Sequence, residues 1–359
     1  GTFHFERNIA QLKEHFQVYS LDYLGQGQSW PRSPEPAGLC YSPELWVEQI
    51  AHVIETVIGT EGVHVAGNSL GGYLASILAA ERPDLVKSLS LLNATPFWGF
   101  NAPDAQQPKQ QEEEGKGENK GGGRQGAKRG IWGWRGQLPA PKTLLGLGGF
   151  YFNSLRNPKT IRLMLGGVYH RPSTLDEGLV SEIITAASRS GGPQAFTSIL
   201  FAPKFPVEFD ELLRQSGQAG VPLCLLYGQR DPWITPYWGR RAKRVRQDAV
   251  YLELSDTGHC PHHESHASVN RALEAWVRVV ESRATVKPLG VRTSSPPSFP
   301  SVSASASTVD GADGPELADC MRALVGTYEE SDGSEVQLSF VDKPTGLWES
   351  IFNNFQVEK

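Results

Sequence analysis

Residues 63–78, Val-His-Val-Ala-Gly-Asn-Ser-Leu-Gly-Gly-Tyr-Leu-Ala-Ser-Ile-Leu, decide the fold. Residues 63–67 are a short apolar run and read as a strand. Gly67-Asn68-Ser69-Leu70-Gly71 is a G-x-S-x-G. Residues 72–81, rich in Leu, Ile and Ala, read as a helix stopped at Pro83. The pattern alone recurs by chance in Gly-rich turns, so its meaning comes from the strand before it and the helix after it. In that context the glycines permit a tight turn that lifts the Ser69 hydroxyl above a sheet. The Leu70 N–H then points to where an oxyanion would form.

Outward from this turn, strands and helices alternate. Residues 18–22, 88–92, 222–227 and 250–254 read as buried strands. Residues 43–58 read as a helix, with Val47, Ile50, Ile54, Val57 and Ile58 at helical spacing, and 237–245 and 267–281 as two more. This alternation predicts an α/β fold, a mostly parallel sheet with helices on both faces. From 96 to 220 helical periodicity dominates, with pieces at 161–165, 179–187 and 209–213. A helical block between two strands of such a sheet reads as a lid. The core is then 1–95 and 221–283, and the lid 96–220.

The chain has 359 residues, 34 Lys plus Arg against 39 Asp plus Glu, and a net charge of −5. That balance excludes a broadly basic nucleic-acid binder. Cys40, Cys224, Cys260 and Cys320 are far apart and form no CxxC, so neither a disulfide framework nor a zinc ribbon is suggested. No apolar run approaches the roughly 20 residues of a membrane-spanning helix. From 108 to 130 there is no Val, Leu, Ile, Met or aromatic residue. We read 104–130 as a disordered insertion and the Ser-, Pro- and Ala-rich 284–314 as a flexible linker. The start at Gly1, without Met, reads as a cut from a longer precursor.

A serine hydroxyl needs a base, and the base an orienting acid. Strand 222–227 runs into Gly228-Gln229-Arg230-Asp231-Pro232, and strand 250–254 into Ser255-Asp256-Thr257-Gly258-His259. Loops after parallel strands gather at one sheet edge, so Ser69, Asp231 and His259 should meet there. Their chain order is that of the α/β-hydrolases. Asp256 is the rival acid, more at home as a turn residue. A carboxylate after strand 88–92 would be another, but Asn93 sits there. His262, His263 and His266 tempt a metal reading, yet no second cluster completes a site, and we read them as surface residues beside one catalytic His. Cys260 has no base of its own. The loop 22–29 lacks G-x-G-x-x-G and reads as structural, beside the site's mouth.

These residues carry a resemblance. Gly-Asn-Ser-Leu-Gly-Gly-Tyr at 67–73 and Leu-Leu-Asn-Ala-Thr-Pro-Phe-Trp-Gly-Phe at 91–100 resemble the pheophytinases, plastid α/β-hydrolases that remove phytol from pheophytin. So do 227–234, 236–239 and 258–264, and the likeness covers roughly residues 1–282. It implies Ser69 as nucleophile, Asp231 as acid, His259 as base and the Leu70 N–H as one oxyanion donor. The second donor would come from a Gly-rich loop just upstream of Gly1, which makes the sequence read as a piece of the active enzyme. The resemblance also implies chlorophyll catabolism, a chloroplast location and no cofactor.

A pheophytin site should be apolar and partly lidded. Phe97, Trp98 and Phe100 lead towards the lid, and Trp233 and Trp238 flank the acid loop, in a chain with 9 Trp. We expect them to contact substrate, with Trp98 and Trp233 lining the macrocycle site. In residues 346–355, Leu347, Trp348, Ile351, Phe352 and Phe355 fall on one helical face, suited to peripheral contact with a thylakoid membrane or to packing on protein. The competing readings are a chlorophyll dephytylase or general lipid esterase, and, in another class, a non-catalytic receptor or scaffold of the same fold. Ser69 at the elbow argues against epoxide hydrolases and dehalogenases, which need a carboxylate nucleophile there.

Overall fold

The structure, a computed structural model, describes residues 1–33, 35–59, 62–96, 133–285, 321–330 and 332–341. Four apolar segments, β1 (Val63–Asn68), β2 (Val86–Leu92), β3 (Leu223–Gly228) and β4 (Val250–Leu254), pair in parallel. Beyond β4 an antiparallel hairpin of β5 (Gly326–Glu329) and β6 (Glu335–Phe340) extends the sheet to six strands, in the order β1-β2-β3-β4-β6-β5.

Successive strand residues point to opposite faces, and the two faces feed two cores. Leu89, Leu91, Leu223, Leu225, Tyr227 and Tyr251 pack in one, against α2 (Pro43–Val53), α3 (Leu70–Glu81), α8 (Phe209–Gln218) and α9 (Pro236–Val245). Leu92, Cys224, Leu226, Val250, Leu252 and Leu254 pack in the other, under Val269, Ala272, Trp276 and Val280 of α11 (His266–Thr285), on which α1 (Glu6–Leu12) packs in turn. Met321, Val336 and Leu338 of the C-terminal segment join that second core. Each large side chain so buried contributes about 1.5–3 kcal/mol. The mostly parallel sheet with helices on both faces is as the alternation predicts.

Two readings change. Residues 18–22 form no strand. A strand exists only through a hydrogen-bonded ladder, and among the described residues no strand pairs with this segment. The Asp22 carboxylate accepts the Thr2 and Gln28 N–H groups, and its carbonyl accepts from the Gln49 side chain. Second, the block between β2 and β3 holds more helix than its periodicity signalled. It contains α4 (Lys142–Leu155), α5 (Pro158–Gly166), α6 (Glu177–Ala187) and α7 (Gly192–Phe201). α4 and α7 pack on each other, so tertiary contact overrides the Gly-rich Gly-Leu-Gly-Gly of residues 146–149. α8, the last helix before β3, packs on α3 in the main core. Phe97, Trp98, Phe100, the 104–130 insertion, the 286–314 part of the linker and 346–355 lie outside the described residues.

Candidate active site

Ser69 joins β1 to α3 with φ 51° and ψ −118°. Positive φ costs a non-glycine residue roughly 1–2 kcal/mol, so the turn must be held from outside. The Ser69 N–H donates to the Leu92 carbonyl at 3.0 Å, and the Ser69 carbonyl accepts from Gly72, Tyr73 and Thr95. Close approach makes two glycines obligatory. A Cβ on Gly67 would stand 2.4 Å from the Gly71 carbonyl, and one on Gly72 2.5 Å from the Ala94 Cβ. Gly71, the last letter of the motif, meets only the Tyr23 hydroxyl at 3.4 Å. Tyr23 thereby places the 22–29 loop beside the elbow. Leu70 opens α3, where helix geometry leaves its N–H without an intrahelical acceptor.

Asp231 follows β3 and His259 follows β4, both at the edge where β1 delivers Ser69. His259 Nε2 lies 2.9 Å from Ser69 Oγ, and His259 Nδ1 lies 2.7 Å from Asp231 Oδ2. Only a proton on Nδ1 serves the carboxylate, which leaves Nε2 to accept the serine proton. The other oxygen, Asp231 Oδ1, accepts the Trp233 and Ile234 N–H groups at 2.8 and 2.9 Å. Burial opposes the Asp231 charge, but the hydrogen bonds and charge of His259, then Asn93 and the Ile234 N–H, outweigh it and hold the carboxyl below its ordinary pKa. The rival Asp256 is half exposed, 3.6 Å from His170 and 3.7 Å from Arg230, and does not share the imidazole.

Backbone and side chains from several elements seat the imidazole. The His259 N–H donates to the Val168 carbonyl at 2.9 Å. Asn68, inside the G-x-S-x-G, donates to the carbonyls of both Leu92 and His259 at 3.0 Å, tying the end of β1 to the loop that carries His259. Glu264 accepts the N–H groups of Gly258, His170 and Arg171. Arg171 in turn bonds the Glu264 carbonyl, Ser265 and, across to the C-terminal hairpin, Ser334. Asn93, Asn68, Glu264 and Arg171 escaped the sequence reading. Only the position of Asn93 and Asn68 at carboxyl ends of strands hinted at them.

The expectation of surface histidines is corrected. His262 and His263 are 1% and 5% exposed. They lie on the short helix α10 (Pro261–Glu264), which packs under the N-terminal turn Thr2–Phe5. The His262 ring stacks on Phe5 at 4.2 Å between centroids, and neither of its nitrogens has a hydrogen-bond partner. Burial first, then neighbouring histidine and Arg7 charge, keeps all of this group neutral: His263 falls to about 4 and His4 to about 3. Among the described residues no three His, Cys, Asp or Glu converge as they would on a metal ion. Burial pushes the Cys260 thiol up to about 12, which removes it as a nucleophile.

Trp233 is 57% exposed, with its ring 5.5 Å from that of His259, so an apolar surface stands open beside the imidazole. Trp238 packs instead against the main core, with the Arg241 guanidinium over its ring.

Known proteins resemble the chain. A model of the Alpha/beta hydrolase family matches residues 1–272. "Pheophytinase, chloroplastic" of Arabidopsis thaliana is 33% identical over 308 residues, which is 79% of this chain and 60% of that protein. The chain thus spans about three fifths of that relative. Lipase 1 of Psychrobacter immobilis is 20% identical over 77% of this chain and 73% of its own. A putative lipase of Acinetobacter baumannii shares the fold at a TM-score of 0.56 and 18% identity, covering 78% of this chain and 80% of that one. A thermophilic esterase of Thermogutta terrifontis does so at 0.53 and 18% identity, over 77% and 85%.

Proposed function

The chain belongs to the alpha/beta hydrolase family, and on that premise we propose that it hydrolyses carboxylic esters through Ser69, His259 and Asp231, with the phytyl ester of a pheophytin-type tetrapyrrole as substrate. The observation that carries this reading is the unbroken relay of hydrogen-bond distances from Ser69 Oγ through the His259 ring to Asp231. The likeness to a chloroplastic pheophytinase supports the substrate and a chloroplast location.

The chemistry is acyl transfer. His259 Nε2 takes the Ser69 proton as Oγ bonds to the ester carbonyl carbon. The oxyanion forms over the N-terminus of α3, where the Leu70 N–H donates to it. The carbon–oxygen bond to the alcohol breaks, and His259 returns the proton to the leaving oxygen. Water then attacks the acyl-enzyme, its proton passing to His259, and the free acid departs as Ser69 is restored. Asp231 stays ionised throughout, orienting the imidazole and stabilising its charge. Trp233 offers a flat apolar surface for substrate beside the base, and the α4–α7 block serves as the lid.

A lipid-soluble substrate calls for a lipid-facing surface, and the observations favour α4 and α5. Leu147, Phe150 and Tyr151 share one exposed face of α4, and Leu163 and Met164 of α5 are exposed too. From 133 to 175 the sequence has six Lys or Arg and no Asp or Glu, in a chain of net charge −5. Arg162 and Arg171 of these pair with Glu177 and Glu264, and apolar faces flanked by the remaining cations suit an anionic bilayer surface.

The test incubates the full-length protein and its Ser69→Ala variant with pheophytin, chlorophyll and a short-chain aryl ester, and separates the products. Pheophorbide from pheophytin alone, lost in Ser69→Ala, is the expected result. Equal cleavage of chlorophyll would replace the reading with a general dephytylase, and aryl-ester turnover alone with a general esterase. No turnover by the folded protein would favour a scaffold.

A further inference from the structure

Asn93 is the first residue after β2, fully buried, with φ 41° in the left-handed region that disfavours side chains. Its backbone N–H donates to the Leu226 carbonyl at 3.0 Å, which locks the residue between β2 and β3. The amide orientation is forced. The Gly228 N–H can only donate, so Oδ1 faces it at 2.9 Å, and Nδ2 must turn the other way. There Nδ2 donates to Asp231 Oδ2 at 2.5 Å, the oxygen that also faces His259 Nδ1.

We propose that Asn93 is a positioning residue for the reaction: its amide clamps the carboxylate oxygen that receives the His259 N–H, and keeps that oxygen an acceptor. The inference rests on the reading of Ser69, His259 and Asp231 as a triad. Asp231 Oδ1 is held by its own loop, through Trp233 and Ile234. Oδ2 has no such local anchor, and Asn93 supplies one from a neighbouring strand, reaching Gly258 O as well at 3.5 Å. A donor there also disfavours a proton on Oδ2 pointing towards Asn93, because the amide nitrogen has no lone pair to accept it. The strained backbone has a use on this account. It aims a short amide from the end of β2 at both the β3 terminus and the acid.

A purely structural Asn93 would serve the Gly228 N–H alone, and Asn93→Asp separates the two roles. Aspartate tolerates positive φ and still accepts from Gly228. Towards Asp231 it replaces a donor with a second carboxylate, and two carboxylates so close raise each other's proton affinity and that of His259. The base then stays protonated to higher pH.

The experiment measures the rate at which a fluorophosphonate labels Ser69 from pH 5 to 9, alongside Tm, in the full-length protein. Fluorophosphonate reports the activated serine whatever the natural ester is. The wild type is expected to label and Ser69→Ala not to. Asn93→Asp should label about 10- to 100-fold more slowly at neutral pH, the factor a charge-assisted hydrogen bond is worth, with its acid limb moved up by about a pH unit or more. Wild-type rate and pH profile in a folded Asn93→Asp would overturn the proposal. Should that variant not fold, Asn93→Gly, which relieves the strained φ, decides. In that variant both amide contacts are gone, so the pH profile decides: slowed labelling with its acid limb moved up supports the clamp, and an unmoved acid limb overturns it. A wild-type protein that does not label overturns the triad reading, and the inference with it.

Discussion

The Glu264 carboxylate accepts the backbone N–H of Gly258 at 3.1 Å, so the residue immediately before His259 is held by a side chain five positions beyond the imidazole. The same carboxylate takes the N–H groups of His170 and Arg171, which precede α6. The helical block and the His259 loop are therefore joined at one buried acid. Glu264→Ala leaves three N–H donors without an acceptor, each costing about 1–3 kcal/mol. The expected outcome is a Tm lowered by several degrees together with a slower reaction of Ser69, and Glu264→Gln, which keeps one acceptor oxygen, should fall between. Thermal unfolding and fluorophosphonate labelling on the same samples check both.

Acid should weaken the fold in a window set by the buried histidines. An unfolded histidine takes its proton near pH 6.5, whereas His263 in the fold resists protonation down to about 4, and His262 resists further. Between those values the unfolded chain binds more protons, so stability falls as pH drops, by about 1.4 kcal/mol per unit for each such group. Above pH 6.5 the two contribute no slope. His262→Phe keeps the stack on Phe5 and removes two unpartnered nitrogens. Urea unfolding at pH 7.5 and 5.5 should find it at least as stable as wild type at the higher pH, and losing less on acidification.

Asp231→Asn tests the acid. It preserves shape but removes the charge that the imidazolium needs, and a loss of roughly ten-thousandfold in turnover is expected. Asp256→Asn should leave turnover within about twofold, because its carboxylate faces solvent, His170 and Arg230. Steady-state kinetics on one ester substrate compares them directly, and a severe loss in Asp256→Asn alone would move the acid to the rival residue.

Trp233→Ala should act on substrate capture. The ring is largely exposed beside His259, so its loss costs little in packing. For a macrocyclic ester KM should rise about tenfold, equivalent to 1.4 kcal/mol of lost contact, with Tm unchanged. For a small aryl ester KM should hardly move.

Binding to lipid is tested by flotation with vesicles. The protein should float with phosphatidylglycerol-rich vesicles, less with phosphatidylcholine, and less again in high salt. Leu147→Ser, Phe150→Ser and Tyr151→Ser combined should abolish it. Flotation unaffected by that triple change would place the lipid contact elsewhere in the protein.

The elbow, the order of its partners and the parallel sheet were legible in the sequence because each is a local pattern. An apolar run predicts a strand, helical spacing predicts a helix, and the residue after a parallel strand lies at a known edge. Ser69, Asp231 and His259 all sit at such positions, and the structure brings their side chains within hydrogen-bond distance. Residues 18–22 show the same logic failing, because an apolar run becomes a strand only where a ladder receives it. The helices α4 and α7 reverse that error. Their glycines argue against helix, and packing on each other supplies what propensity lacks.

What the sequence by itself determined is thus the class of fold and three chemically distinct groups at one edge of a sheet. Only the tertiary structure decided how those groups are held. Asn68 bridges two carbonyls, Asn93 donates to the Asp231 carboxylate, and Glu264 gathers three amides. The C-terminal hairpin completes the frame through Arg171. It also decided that His262 and His263 are buried. The physical reason is the same throughout. Hydrogen bonds between residues distant in the chain, as from the His170 N–H to the Glu264 carboxylate, and the burial of a polar ring depend on which surfaces meet. No local periodicity records that.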